Sequence, residues 1–135
     1  MYEKIFPLTE SFIDFSGDRR EFLIEANEGP FGWTVVAREI NPPHDPGYFF
    51  STFSASHYGL ALGAMRGKIR REISRRYLVP DSMPNLLHGS VRGRVGGSDD
   101  QILVIDGRAI SADDFVNMIS VYEGHEFELH ITEPE

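Results

Sequence analysis

The chain has 135 residues, 41% hydrophobic and 25% charged, a size and balance that give one ordinary domain with a buried core and exclude a disordered chain or two independent domains of typical size. It contains no cysteine, which removes disulfides, thiolate metal sites and cysteine nucleophiles and favours the cytoplasm over an oxidising compartment. A formal net charge of −8 works against diffuse attraction to nucleic acid or acidic membrane surfaces.

That charge is unevenly spread. Residues 60 to 95 carry eight basic groups, Arg66, Lys68, Arg70, Arg71, Arg75, Arg76, Arg92 and Arg94, against the two acidic groups Glu72 and Asp81. The remainder holds 5 of the 13 basic and 19 of the 21 acidic residues. Met1 to Glu10 shows no basic start followed by an apolar run, and no stretch approaches the ~18 apolar residues of a membrane span, so neither export nor membrane insertion is expected.

Four β-like runs come first: Phe12 to Phe15, Glu21 to Ala26, Trp33 to Ile40 and Tyr48 to Phe53, rich in aromatic and β-branched residues and divided by turn formers. In the second run Phe22, Ile24 and Ala26 share one face and Glu21, Leu23 and Glu25 the other, as in an antiparallel sheet wet on one side. Tyr58, Leu62, Met65, Ile69, Ile73 and Tyr77 then recur every three or four residues. This predicts a helix that opens at Ser54 or Ser56 as N-cap and runs to about Tyr77. Pro80 and Pro84 make Val79 to Asn85 the candidate linker.

Beyond it, Leu87 to Val95 alternates, Gly96 to Asp100 turns, and Ile102 to Ile105 completes a hairpin signal. Asp106-Gly107 turns the chain again. Ser111, with Asp114 three positions on, opens a second helix whose apolar stripe is Phe115, Met118, Ile119 and Tyr122 and whose stop is Gly124. Glu126 to Thr132 alternates Phe127, Leu129 and Ile131 with Glu126, Glu128 and His130, the pattern of a final strand. The expected class is α+β, with mainly antiparallel sheets and two helices in the order β-β-β-β-α then β-β-α-β. It forms a single domain over residues 1–135, with lobes at 1–79 and 85–135 joined by a proline-containing linker at 79–85.

The stretch Ile105-Asp106-Gly107-Arg108-Ala109-Ile110-Ser111, followed by Phe115, Met118, Tyr122-Glu123-Gly124, Phe127 and Leu129, resembles a carboxy-terminal module of uncharacterised bacterial proteins, a domain of unknown function. The resemblance implies a bacterial source and a recurring structural unit, and it brings no activity, cofactor or catalytic residue with it. The same residues have a complete folding explanation as turn, cap, stripe, stop and strand.

The residues that carry chemistry are chiefly cations. With Ile69 at the centre of the buried face and 100° per residue, Lys68, Arg71 and Arg75 fall outward and Arg66 and Arg70 lie along one flank. Arg92 and Arg94 project from one face of the following strand. If that strand lies beside the helix, these seven cations converge on a binding site for an acidic protein surface, nucleic acid or phosphate. The alternative is an ordinary solvated face, with the arginines paired to the chain's own carboxylates.

Other constellations point elsewhere. His44, His57, His88, His125 and His130 lack metal-ligand spacing, and no metal or cofactor is expected. Gly89-Ser90-Val91-Arg92-Gly93 does not set a serine between the glycines of a nucleophile elbow. Gly93 to Gly97 precedes a strand and does not open a helix, so it reads as a hairpin turn and not a phosphate loop. The pairs Asp99-Asp100 and Asp113-Asp114 fall in a turn and a helix first turn, where acidic groups are favoured. Trp33, Phe31, Tyr48, Phe49, Phe50 and Phe53 read as core aromatics in strands. No catalytic residue is assigned.

The favoured reading is therefore a non-enzymatic protein-interaction or adaptor protein, meeting a protein partner or a second copy of itself and no membrane. Binding of nucleic acid or a phosphate ligand through the basic helix stays open as an alternative, disfavoured by overall acidity. An enzyme whose site is assembled from distant residues stays open as another.

Overall fold

The computed structural model describes residues 5–44, 46–78, 85–98 and 101–133. Four strands, β1 (Leu8–Ile13), β2 (Arg19–Gly29), β3 (Gly32–Ile40) and β4 (Phe49–Ser54), form an antiparallel meander in chain order. Each strand buries one parity. Phe12 of β1, Phe22 and Ile24 of β2, and Val35 and Ala37 of β3 point to one face, while Glu21, Glu25 and Arg38 alternate outward. Gly32 closes the tight β2–β3 turn with φ 149°, and a Cβ there would stand 2.3 Å from the carbonyl oxygen of Ser54. Glycine is required at that corner.

The helix α1 (Tyr58–Ile73) covers this face with Ala61, Leu62, Met65, Ile69 and Ile73. Its start is shifted from the expected serines. The cap is His57, whose Nδ1 accepts from the Gly59 amide at 2.9 Å. Ser54 instead belongs to the end of β4, and its Oγ accepts from the amides of Ser56 (3.2 Å) and His57 (3.3 Å) in the turn leading in. The end comes early too, at Ile73 and not Tyr77. The amides of Tyr77 and Leu78 donate to the Asp106 carboxylate, at 3.0 and 2.8 Å, so a tertiary acceptor takes donors that a longer helix would have used.

The second sheet contains β5 (Arg94–Ser98), β6 (Gln101–Ile105) and β7 (Arg108–Ser111), antiparallel in that order, followed by α2 (Ala112–Ser120). Between β6 and β7, Asp106 (φ 55°) and Gly107 (φ 76°) are the two central residues of a hairpin that pairs Ile105 with Arg108. Both being left-handed makes this the primed turn whose twist matches flanking strands. Ser111 caps α2 as expected, its Oγ accepting from the Asp114 amide at 3.1 Å. Leu78, Ile105, Ile110 and Met118 form a second small core.

The molecule is thus α+β with two antiparallel sheets and two helices. The second half differs in arrangement from the expected β-β-α-β, because its third strand precedes the helix. β7 has only four residues between turn and cap, too few for alternation to be visible. The alternating segment from 126 to 132 pairs with no sheet, since alternation assigns faces but supplies no neighbour. The expected strand at Leu87 begins only at Arg94, after an irregular approach in which the Leu87 amide donates to the Tyr77 carbonyl at 2.8 Å. Residues 79 to 84 of the expected linker lie outside the described residues.

Candidate interaction surface

Where the two sheets approach, the side chains are charged and buried. The Arg20 guanidinium bridges Asp14 (2.9 Å) and Glu39 (2.8 Å), both carboxylates being almost wholly buried. Asp14 also accepts from the hydroxyl of Ser16 at 2.7 Å and the amide of Asp18 at 3.0 Å. Burial pushes the Asp14 carboxyl up, but Ser16 and Arg20 outweigh it and hold the group below its ordinary value. Glu39 accepts from the Tyr48 amide at 3.1 Å.

Nearby, the Tyr48 hydroxyl is buried with no hydrogen-bond partner among the described residues. Burial and the negative field of Asp106 push its pKa up, which keeps it a neutral phenol. Asp106 is itself raised by burial, against the opposing pull of the Leu78 and Tyr77 amides. The cluster works as a clamp. Gly47 donates to the Gly107 carbonyl at 2.8 Å, and a Cβ on Gly107 would meet the Gly47 carbonyl carbon and the Tyr48 amide nitrogen at 3.2 Å each. The sequence pattern alone did not single out Asp14, Arg20 and Glu39. The signal was their parity: Arg20 alternates with Phe22 and Ile24, and Glu39 with Val35 and Ala37, so each is a charge on a buried face.

The seven cations singled out from sequence are largely held within the chain. Arg66 forms a forked ion pair with Glu10, its Nε at 3.0 Å from Oε1. Lys68 donates to the Ser51 carbonyl at 3.3 Å, and Arg70 lies over the Phe12 ring, 5.4 Å from its centroid. Arg71 is exposed beside Glu72, and Arg75 is exposed beside the Tyr77 side chain. The helix faces follow the expected phase, with Ile69 and Ile73 fully buried, although Lys68 is half-buried and Arg75 lies past the helix end. Arg92 is exposed, and Arg94 lies over the ring of Phe49, 5.7 Å from its centroid. Phe49 alternates away from the core-facing Phe50, so Arg94 meets β4 on the face that α1 does not cover. The helix cations and Arg94 are therefore on opposite sides of the first sheet.

Apolar side chains are strongly exposed at the carboxy-terminal end. α2 ends at Ser120 with Val121 as its C-cap, short of the expected stop at Gly124 (φ 86°), and beyond that glycine the chain runs on without regular structure. Phe127, Leu129 and Ile131 are 87%, 73% and 75% exposed. Val116, Ile119 and Val121, on and just after α2, are exposed as well. At the far edge of the second sheet Val95 is 66% exposed. Single exposed apolar side chains are ordinary, whereas an alternating run of three is a strand face without a cover.

Two family models match. Residues 4–74, which span β1 to α1, match a domain of unknown function, DUF7686. The chain belongs to that family. Residues 77–135 match a second domain of unknown function, DUF7713, and the boundary between the matches falls just after the α1 cap, where the first core gives way to the second. The DUF7713 span holds the Asp106-Gly107 turn, α2 and the exposed run. No curated protein and no solved structure shows detectable similarity to the chain. Among the described residues no helix is long and apolar enough to cross a membrane, and no three histidine, aspartate or glutamate side chains come together as metal ligands.

Proposed function

We propose that this protein acts by binding another protein chain, through the exposed apolar run that follows α2. One observation carries the reading: Phe127, Leu129 and Ile131 are strand-spaced and open to solvent, while Glu126, Glu128 and His130 occupy the alternate positions. Extended segments of this kind gain main-chain hydrogen bonds and side-chain burial together when they join a sheet edge. The buried ionisable groups at the seam favour binding over catalysis, since Asp14, Arg20 and Glu39 satisfy one another. Arg92 and Arg94 are the cations beside the β5 edge that an acidic partner segment would meet, Arg92 exposed and Arg94 half-buried over the Phe49 ring.

The test is the paired substitution Phe127→Asp and Leu129→Asp. Neither side chain is buried within the chain, so the variant is expected to fold. It is expected to lose association seen with the wild type, whether with itself in sedimentation or with a partner retained from native cell extract. If the wild type associates with nothing, or the variant retains every association, the reading fails.

A further inference from the structure

The occupant for the exposed run is present in the same molecule. β5 is the terminal strand of its sheet, and its side chains sort by parity. Val95 stands opposite Leu103 on the face of the second core, and Arg94 stands opposite Val104 on the other face, two positions after Arg92. The run from 126 to 132 carries the complementary alternation, Glu126 and Glu128 on one face and Phe127, Leu129 and Ile131 on the other. β5 is regular only at its start, since its register shifts between Val95 and Ser98; a strand laid beside that start with Phe127 and Leu129 toward Val95 sets Glu126 and Glu128 on the side of Arg94, with Arg92 just ahead of the strand. A one-residue slip would place acids on the apolar side and so is selected against.

Charge supports the same pairing. Burial pulls the Arg94 guanidinium below its ordinary value, and no carboxylate offsets it. Among the described residues neither Arg92 nor Arg94 has an ion pair. Glu126 and Glu128 are likewise exposed and outside every ion pair among the described residues. Among the described residues the run forms no ladder with β5, and its three apolar side chains stand exposed outside the buried members of the second core. One molecule thus has an unmatched strand and an unmatched edge, and a twofold exchange between two copies satisfies both contacts at once.

Resting on the protein-binding reading above, we propose that two copies of this chain dimerise by reciprocal strand exchange, each laying residues 126 to 132 along the β5 edge of the other, with Glu126 and Glu128 against Arg92 and Arg94.

Sedimentation of the full chain over a range of micromolar concentrations tests it with two charge-reversed variants. Glu126→Arg with Glu128→Arg makes strand and edge both basic, and Arg92→Glu with Arg94→Glu makes both acidic. Each variant alone is expected to be monomeric. Mixed, they are expected to form a one-to-one heterodimer, because each strand then meets an edge of opposite charge. Raised salt should weaken that heterodimer. Arg92→Glu alone replaces the edge variant if Arg94→Glu unfolds the chain, since Arg92 is exposed. A wild-type monomer overturns the exchange, and if extract proteins are still retained through Phe127 and Leu129 the broader reading survives that failure. A wild-type dimer that both variants leave intact, or a mixture that stays monomeric, overturns it too. Amide protection of residues 126 to 132 in a monomer would show the strand folding onto its own chain and equally overturns it.

Discussion

Arg20 stands between two nearly inaccessible carboxylates, and no other cation pairs with Asp14 or Glu39 among the described residues. Arg20→Met keeps the stem and removes the charge, leaving two acids with the desolvation cost of burial. Breaking a buried pair from one side costs about 3–5 kcal/mol, and denaturant unfolding at neutral pH should show a loss of that order. The pH dependence has a definite sign. The folded pKa of Asp14 lies below its ordinary value of 3.8, so its contribution is complete above 3.8 and is lost as pH falls through the lowered value. Protonation also removes the repulsion that Arg20→Met exposes. The gap between wild type and variant should therefore narrow on acidification below 3.8; a gap that stays constant down the acid limb would mean that the ion pairs are not its origin. These residues were legible only in part. Alternation marks positions 20 and 39 as inward-facing, but the two strand positions and the Asp14 loop are joined by pairing register, which composition does not carry.

At the scale of the element, α1 separates packing from charge. Ile69 is fully buried in the first core, and Ile69→Ala should cost roughly 2–5 kcal/mol through lost burial and a cavity. Replacing Lys68, Arg71 and Arg75 together with glutamine removes one half-buried and two exposed cations. Contacts of such cations are screened by solvent and contribute little, so thermal melting should move little. If the triple variant unfolds while Ile69→Ala is harmless, the helix faces are assigned wrongly. The phase of α1 was readable because the 3.6-residue period is intrinsic to the backbone. Its ends were not, since His57 and Asp106 compete for the terminal amides with groups that propensity does not rank. In α2 the start is local, and there Ser111 caps as expected, whereas the helix ends at Ser120 with its cap at Val121, ahead of the expected stop at Gly124.

For the whole molecule, the Asp106-Gly107 turn ties the second sheet to the exit of α1 and to the loop before β4. Asp106→Ala leaves the Tyr77 and Leu78 amides without their acceptor, at about 1–3 kcal/mol, and hydrogen exchange at those two amides should accelerate more than in the β1–β4 core. Unchanged protection there would show that the turn does not hold the seam. Asp106→Asn preserves the shape and exposes the sign of the titration. Burial raises the folded pKa of Asp106 above 3.8, so the folded state holds the proton more tightly than the unfolded one. Wild-type stability relative to Asp106→Asn should decline as pH rises through the raised value. What the amino-acid order determined by itself is local: strand and helix periods, the Ser111 cap, the Asp106-Gly107 turn and the alternation of residues 126 to 132. Each depends on a residue's own backbone preferences or on neighbours three or four positions away. Only the tertiary structure decided that Arg66 spends its charge on Glu10, that Arg94 and the helix cations lie on opposite sides of a sheet, and that Phe127, Leu129 and Ile131 stand exposed. Those outcomes depend on which distant surfaces meet, and the free energy of a charge or an apolar side chain is set by what lies against it in space.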